Sequence, residues 1–194
     1  MTGIGKVKEE QLILSKGAKP GQDIVVTKYV GLEGTGIIAN EKEDELSKWF
    51  SSSFIQEAKD CLRDISVVPD GMAAKEYASS MHDITEGGIY GALWEVAKAS
   101  KVGFEVIVED IPIKQHTIEL CEKYDLNPYQ LISSGSMLIT TNHGRELVAA
   151  LAQKESREQL SAIPRISEIN WFDRQGKPAN MEAPKQDELY KIYQ

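Results

Sequence analysis

Apolar residues recur three or four positions apart behind Gly88. Ile89, Ala92, Leu93, Val96 and Ala97 fall on one side of a 3.6-residue repeat, which predicts an amphipathic helix over 88–100. Phe54, Ala58, Cys61, Leu62 and Ile65 repeat the pattern and predict a helix over 54–65, with Ser52 or Ser53 as its cap. The run Ile24-Val25-Val26 is continuous, as in a strand covered on both faces, and predicts a strand over 23–29. Further strands are expected over 104–108, 137–140 and 165–171, with a short one over 10–15. Helices are expected over 34–42, 44–50, 71–79, 114–124, 145–153 and 187–193. Pro69-Asp-Gly71, Asn127-Pro128 and Asn142-His-Gly144 punctuate the pattern, and 173–177 reads as a turn. Strands alternating with helices indicate an α/β sandwich.

The densest chemistry is His82-Asp-Ile-Thr-Glu-Gly-Gly88, directly before the clearest helix. Asp83 and Thr85 are both good N-cap types, and two glycines follow where glycine is otherwise a poor helix former. A helix start carries unpaired N–H groups and the positive end of the helix dipole. One reading is a small polar or phosphorylated ligand at the mouth of this helix, approaching the backbone where Cβ atoms are missing. The other is a tight Gly-Gly turn entering an ordinary core helix. Ser133-Ser134-Gly135-Ser136 offers hydroxyls and N–H groups to a ligand, or is simply the turn before the strand over 137–140. Gly31, Gly34 and Gly36 lack the dinucleotide spacing, and no Walker lysine follows them.

Taken in order, these segments resemble the C-terminal domain of the AIR (aminoimidazole ribonucleotide) synthase superfamily. Asp83-Ile-Thr-Glu-Gly-Gly88 matches its Asp-x-Thr-x-Gly-Gly pattern; the helix, the segment from Phe104 to Ile113 and the turn and strand from Leu131 to Thr140 follow in order. Gly17 to Thr27 resembles the strand by which the family's chain enters this domain, and Gly31 to Ala39 its glycine-rich helix start. Ile166-Ser-Glu-Ile169 resembles a late strand, and Pro184 to Tyr190 looks like the branch near the hydrogenase-maturation carbamoyl dehydratase. The resemblance implies a mixed sheet of about four main strands covered by helices, with partial likeness to the ferredoxin fold. It divides the chain into a leading segment 1–22, the domain 23–172 and a C-terminal extension 173–194.

The resemblance also implies a function. Family members are about twice this length, and their N-terminal half binds Mg-ATP through clustered aspartates; no such acidic motif precedes Asp83. The chain therefore reads as the substrate-side domain of an ATP-dependent enzyme, inactive alone and needing no cofactor of its own. The alternative is a non-enzymatic small-anion-binding or assembly module. Asp83, Thr85, Glu86, Gly87, Gly88 and Ser133, Ser134, Gly135, Ser136 would line the substrate side, with Gly31, Gly34, Gly36 and His82 along the cleft. The catalytic groups are left open. The substrate implied is phosphorylated or amide-type; the partners implied are an N-terminal ATP-binding half, as part of the protein or as a partner subunit, and a second copy of the chain. Glu86 stands where the carbamoyl-dehydratase relatives often have Arg and AIR synthase has Gly, and its charge opposes an anion. Pro164-Arg-Ile166 is followed by Ser167 rather than by the cysteine that the carbamoyl dehydratase uses, so that activity is not carried over.

Charge and cysteines narrow the classes. A net charge of −8 and a pI near 5.0 argue against nucleic acid and anionic membranes. There is no apolar run of membrane-spanning length and no apolar leader after Met1, so a cytoplasmic protein is expected. Cys61 and Cys121 read as free buried thiols. His82, His116 and His143 are too scattered for a zinc motif, and no metal site is expected.

Overall fold

The structure is a computed structural model; it describes residues 4–154, 161–163, 171–172, 178–179, 183 and 187–193. Its centre is an antiparallel sheet. Strand β1 (Asp23–Val26) pairs with β3 (Ser136–Thr141), and β3 pairs on its other side with β2 (Ala78–Ile84). β1 and β2 thus run in the same direction with β3 between them, the split βαβ arrangement. The short β4 (Ser161–Ile163) adds to the far side of β1, again antiparallel. The expected mixed sheet is corrected here. Among the described residues every strand pairing is antiparallel, and the one parallel contact is the isolated bridge Val30↔Ile113. The physical reason lies in β1: its apolar run is continuous because helices cover both faces, and that does not require parallel neighbours. Ile24 and Val26 face one core, and Val25 faces the other.

On the first face lies α5 (Gly88–Ser100), which packs Ile89, Leu93 and Val96 against Ile24, Val26, Ile84 and Leu138. On the second, α4 (Val68–Ala74) and α7 (Gly144–Lys154) supply Ala73, Ala74, Leu147 and Leu151 against Val25, Met137 and Ile139. A third cluster gathers α1 (Leu32–Glu41), α2 (Glu43–Leu46), α3 (Ser52–Asp60) and α6 (Gln115–Lys123) around Ile38, Leu46, Ile55 and Leu120. The C-terminal 3-10 turn Glu188–Tyr193 closes that cluster with Leu189 and Ile192.

Several elements differ from the sequence pattern. The segment expected as a strand over 104–108 has no strand partner among the described residues. Phe104 is buried, and Val106 and Val108 pack on the α5 core, but 108–110 is a 3-10 turn. Its alternation reflects packing on a helix. The segment over 10–15 is a 3-10 turn at Glu9–Gln11 followed by extended chain. The helix expected over 71–79 ends at Ala74, because β2 begins at Ala78. The cap of α3 is Ser51, whose hydroxyl accepts the Phe54 N–H at 3.2 Å. The strand expected over 165–171 falls mostly outside the described residues, as does the turn over 173–177; Trp171–Phe172 (β5) pairs with Pro178–Ala179 (β6).

One buried ion pair fixes the loop beneath the sheet. Lys28 is 5% exposed; its ammonium lies 3.1 Å from Asp70 and donates to the carbonyls of Asp64 and Ser66 at 3.0 and 2.7 Å.

Candidate functional site

Two helices start with a glycine in the left-handed region, and both starts are tied to the segment 131–136. Gly31 (φ 75°) caps α1, and Gly87 (φ 79°) caps α5. That region costs an L side chain about 1 kcal/mol or more, so glycine is the residue that fits. The Gly31 N–H donates to the Ser133 hydroxyl at 2.7 Å, and Ser133 donates onward to the Leu131 carbonyl at 2.8 Å. The Gly34 N–H donates to the Ile132 carbonyl at 3.1 Å, and the Ser133 N–H to the Thr85 carbonyl at 3.3 Å. The Ser136 hydroxyl donates to the Tyr29 carbonyl. The structure thus brings the sequence-expected groups Gly31, Gly34, Thr85, Gly87, Gly88 and 133–136 into one knot.

The knot uses its polar groups internally. The hydroxyls of Ser133 and Ser136 are both engaged in it and both residues are buried, while Ser134 is half-buried. Gly34 and Gly36 are packing glycines, since a Cβ at either would collide with Leu131 or Leu62. A Cβ on Gly88 would meet the Tyr129 carbonyl oxygen at 2.5 Å.

A residue that sequence reading missed completes the site. The Asp187 carboxylate accepts the Gly87 N–H at 2.8 Å with one oxygen and the Ile132 N–H at 3.1 Å with the other, which also takes the Leu189 N–H at 2.9 Å. Asp187 is 6% exposed. Burial pushes its carboxyl above the usual value. The three N–H groups pull the other way, and the nearby Glu86 charge adds to the rise. An anion therefore does sit at the start of α5, and it is the chain's own. Its neighbour Glu188 accepts the Asn127 N–H at 2.9 Å and pairs with Lys191 at 2.6 Å. No local signal announces this role, because the donors it ties together, Gly87 and Ile132, lie 100 and 55 positions away.

The capping expectation is corrected by the same geometry. Asp83 lies within β2, one residue before its end, and is exposed; Thr85 follows the strand, and α5 has no side-chain cap from its own neighbourhood. Glu86 is exposed at the mouth. His82 points to a different neighbourhood: its Nδ1 is 2.8 Å from the Ser15 hydroxyl and its Nε2 is 2.6 Å from Glu95. Cys61 and Cys121 are buried thiols; burial raises both, Cys121 to about 12. Among the described residues no three His, Cys, Asp or Glu side chains gather to hold a metal ion, and no helix is long and apolar enough to cross a membrane.

Comparison with known proteins places this architecture. The carbamoyl dehydratase HypE of Rhizobium leguminosarum bv. viciae is 28% identical over 162 residues, which take in 83% of this chain and 41% of that protein. The crystal structure of E. coli HypE, a hydrogenase maturation protein, superposes with a TM-score of 0.72 at 19% identity, over 93% of this chain and 55% of that one. A HypE structure in complex with ATP gives a TM-score of 0.63 at 17% identity, over 85% of this chain and 48% of that one. These two structural likenesses establish the fold. The chain thus spans about half the length of the relatives it matches. The model of the AIR synthase related protein C-terminal domain matches residues 19–168, and the chain belongs to that family.

Proposed function

We propose that this chain is the substrate-side domain of an ATP-dependent, carbamoyl-dehydratase-like enzyme, working with a nucleotide-binding half of the kind its relatives carry. The support is its membership of a C-terminal-domain family, its similarity to HypE and the ATP held by one solved HypE. Among the described residues no three His, Cys, Asp or Glu side chains gather to hold a metal ion. The nucleotide belongs to the other half, and the domain division 1–22, 23–172 and 173–194 leaves the central unit to face it. We place the assembly in the cytoplasm as a dimer, its net charge of −8 opposing indiscriminate aggregation.

One observation supports a reading of the substrate class. The Gly87 and Ile132 N–H groups already hold a carboxylate, and Glu86 stands exposed beside it. A second strong anion there meets like charge. The group presented at this mouth is therefore amide-type, a neutral carbonyl or carboxamide, rather than a phosphate. Phosphoryl transfer to such an oxygen, followed by dehydration or cyclisation, is the reaction class proposed.

The test has two arms. Phosphate release from Mg-ATP is measured for the chain alone and with the N-terminal half of a HypE relative added as a separate polypeptide. Turnover only in the mixture is expected; turnover by the chain alone at about 1 s⁻¹ or faster overturns the reading. Sulfate titration followed by amide chemical shifts should leave 85–89 unmoved in the native chain and move them in Glu86→Arg. The same internal carboxylate also favours a second reading, an assembly module that keeps the fold without catalysis. Absence of turnover in the mixture, with a stable complex formed, supports that one.

A further inference from the structure

Away from the knot, three side chains from three elements form one line of hydrogen bonds. The arm before β1 runs along the outer edge of β2, where the Met81 N–H donates to the Leu14 carbonyl at 3.2 Å. One residue later the Ser15 hydroxyl lies 2.8 Å from His82 Nδ1 on β2, and His82 Nε2 lies 2.6 Å from Glu95 Oε2 on α5. The imidazole is 18% exposed, Glu95 half exposed and Ser15 half-buried, so the line opens to solvent.

The chemistry of the partners sets the protons. An ionised carboxylate only accepts, so Nε2 carries the hydrogen that Glu95 receives. In the neutral ring that leaves the Nδ1 lone pair facing Ser15, and the hydroxyl is the donor. A hydroxyl on a base whose far nitrogen is held by a carboxylate is the arrangement of an activated nucleophile, whichever fold carries it. We propose that Ser15 is a nucleophile toward activated carboxylic esters, with His82 as its general base and Glu95 as the positioning residue of the base.

The step balances without a further reactant. Ser15 Oγ bonds to the carbonyl carbon as its proton passes to His82 Nδ1. The bond to the leaving oxygen breaks, and that oxygen takes the proton from His82. Water then adds to the acyl-serine through the same base, releasing the acid and restoring the hydroxyl. The substrate class follows from the surrounding backbone. The Gly17 and Ala18 N–H groups both donate to the Ser100 hydroxyl, each at 3.1 Å, so this turn spends its donors internally. With base activation the principal assistance, esters with good leaving groups react and amides do not.

The probe is p-nitrophenyl acetate on the full chain. A burst of p-nitrophenol and an acetyl group on Ser15 by peptide mass mapping are expected. Ser15→Ala should remove the adduct, and Ser15→Cys should restore acylation at that position. Glu95→Gln, on a half-exposed helix position, should keep the fold by circular dichroism and slow acylation tenfold or more. Folded native protein with no adduct at Ser15, or Glu95→Gln acylating at the native rate, overturns the proposal.

Discussion

The two glycine-capped helix starts solve one problem with opposite chemistry. Both leave a first N–H without a local cap, and both import an oxygen across about a hundred residues. At α1 the oxygen is a neutral, buried hydroxyl, Ser133, inside the segment that also bonds Gly34. At α5 it is a carboxylate, Asp187, on the C-terminal turn. A charged acceptor makes stronger hydrogen bonds and suits the positive end of the helix dipole. It also loses more on desolvation, as the raised Asp187 carboxyl records. The neutral start is a fixed joint. The charged start is fixed too, but it reacts to pH and to neighbouring charge.

That contrast sets an order of effects. Lys28→Ala gives the scale for a buried charge: it leaves Asp70 unpaired and should cost about 3–5 kcal/mol in urea unfolding. Asp187→Ala leaves three backbone N–H groups, of Gly87, Ile132 and Leu189, without their acceptor and frees the C-terminal turn; about 2–4 kcal/mol is expected, with faster amide exchange at Gly87 and Ile132. Ser133→Ala leaves the Gly31 N–H without its acceptor and the Leu131 carbonyl without that donor, with no charge involved, and should cost about 1–2 kcal/mol. If Ser133→Ala proves as costly as Asp187→Ala, charge does not distinguish the starts.

The smallest effect is on pH. The Asp187 carboxyl is raised in the folded chain, so the folded state holds its proton longer than the unfolded state does. Its contribution to stability is therefore greatest below the ordinary carboxylate value of 3.8 and declines as pH rises through the raised one. The native stability profile should fall across that window relative to Asp187→Asn, which does not titrate. Parallel profiles for the two proteins would contradict this assignment.

Much of this fold was legible, and the reasons are local. The helix α5 announced itself because its buried face repeats with the helical period, and β1 because three apolar residues in a row are needed between two covered faces. β2 was hidden. Ala78-Ser-Ser-Met-His-Asp-Ile84 has weak strand propensity, and its pairing with β3 comes from tertiary context. The segment over 104–108 misled for the converse reason: it alternates like a strand but packs on the α5 core, with no strand partner among the described residues. The site was half legible. Glycines and serines in order pointed to the knot, whereas the carboxylate that closes it carries no pattern in the sequence. Neither does the line from Ser15 through His82 to Glu95, assembled from three separate elements.

The reach of Asp187 also has a meaning in time. The chain is made from its N-terminus at about 5–20 residues per second, so the carboxylate follows Gly87 out of the ribosome by about 5–20 s. A helix of this kind forms in microseconds or less once its residues are free. Between the synthesis of Ser100 and that of Asp187, any α5 that forms has an open, electropositive start, and the turn that carries Asp187 neutralises it.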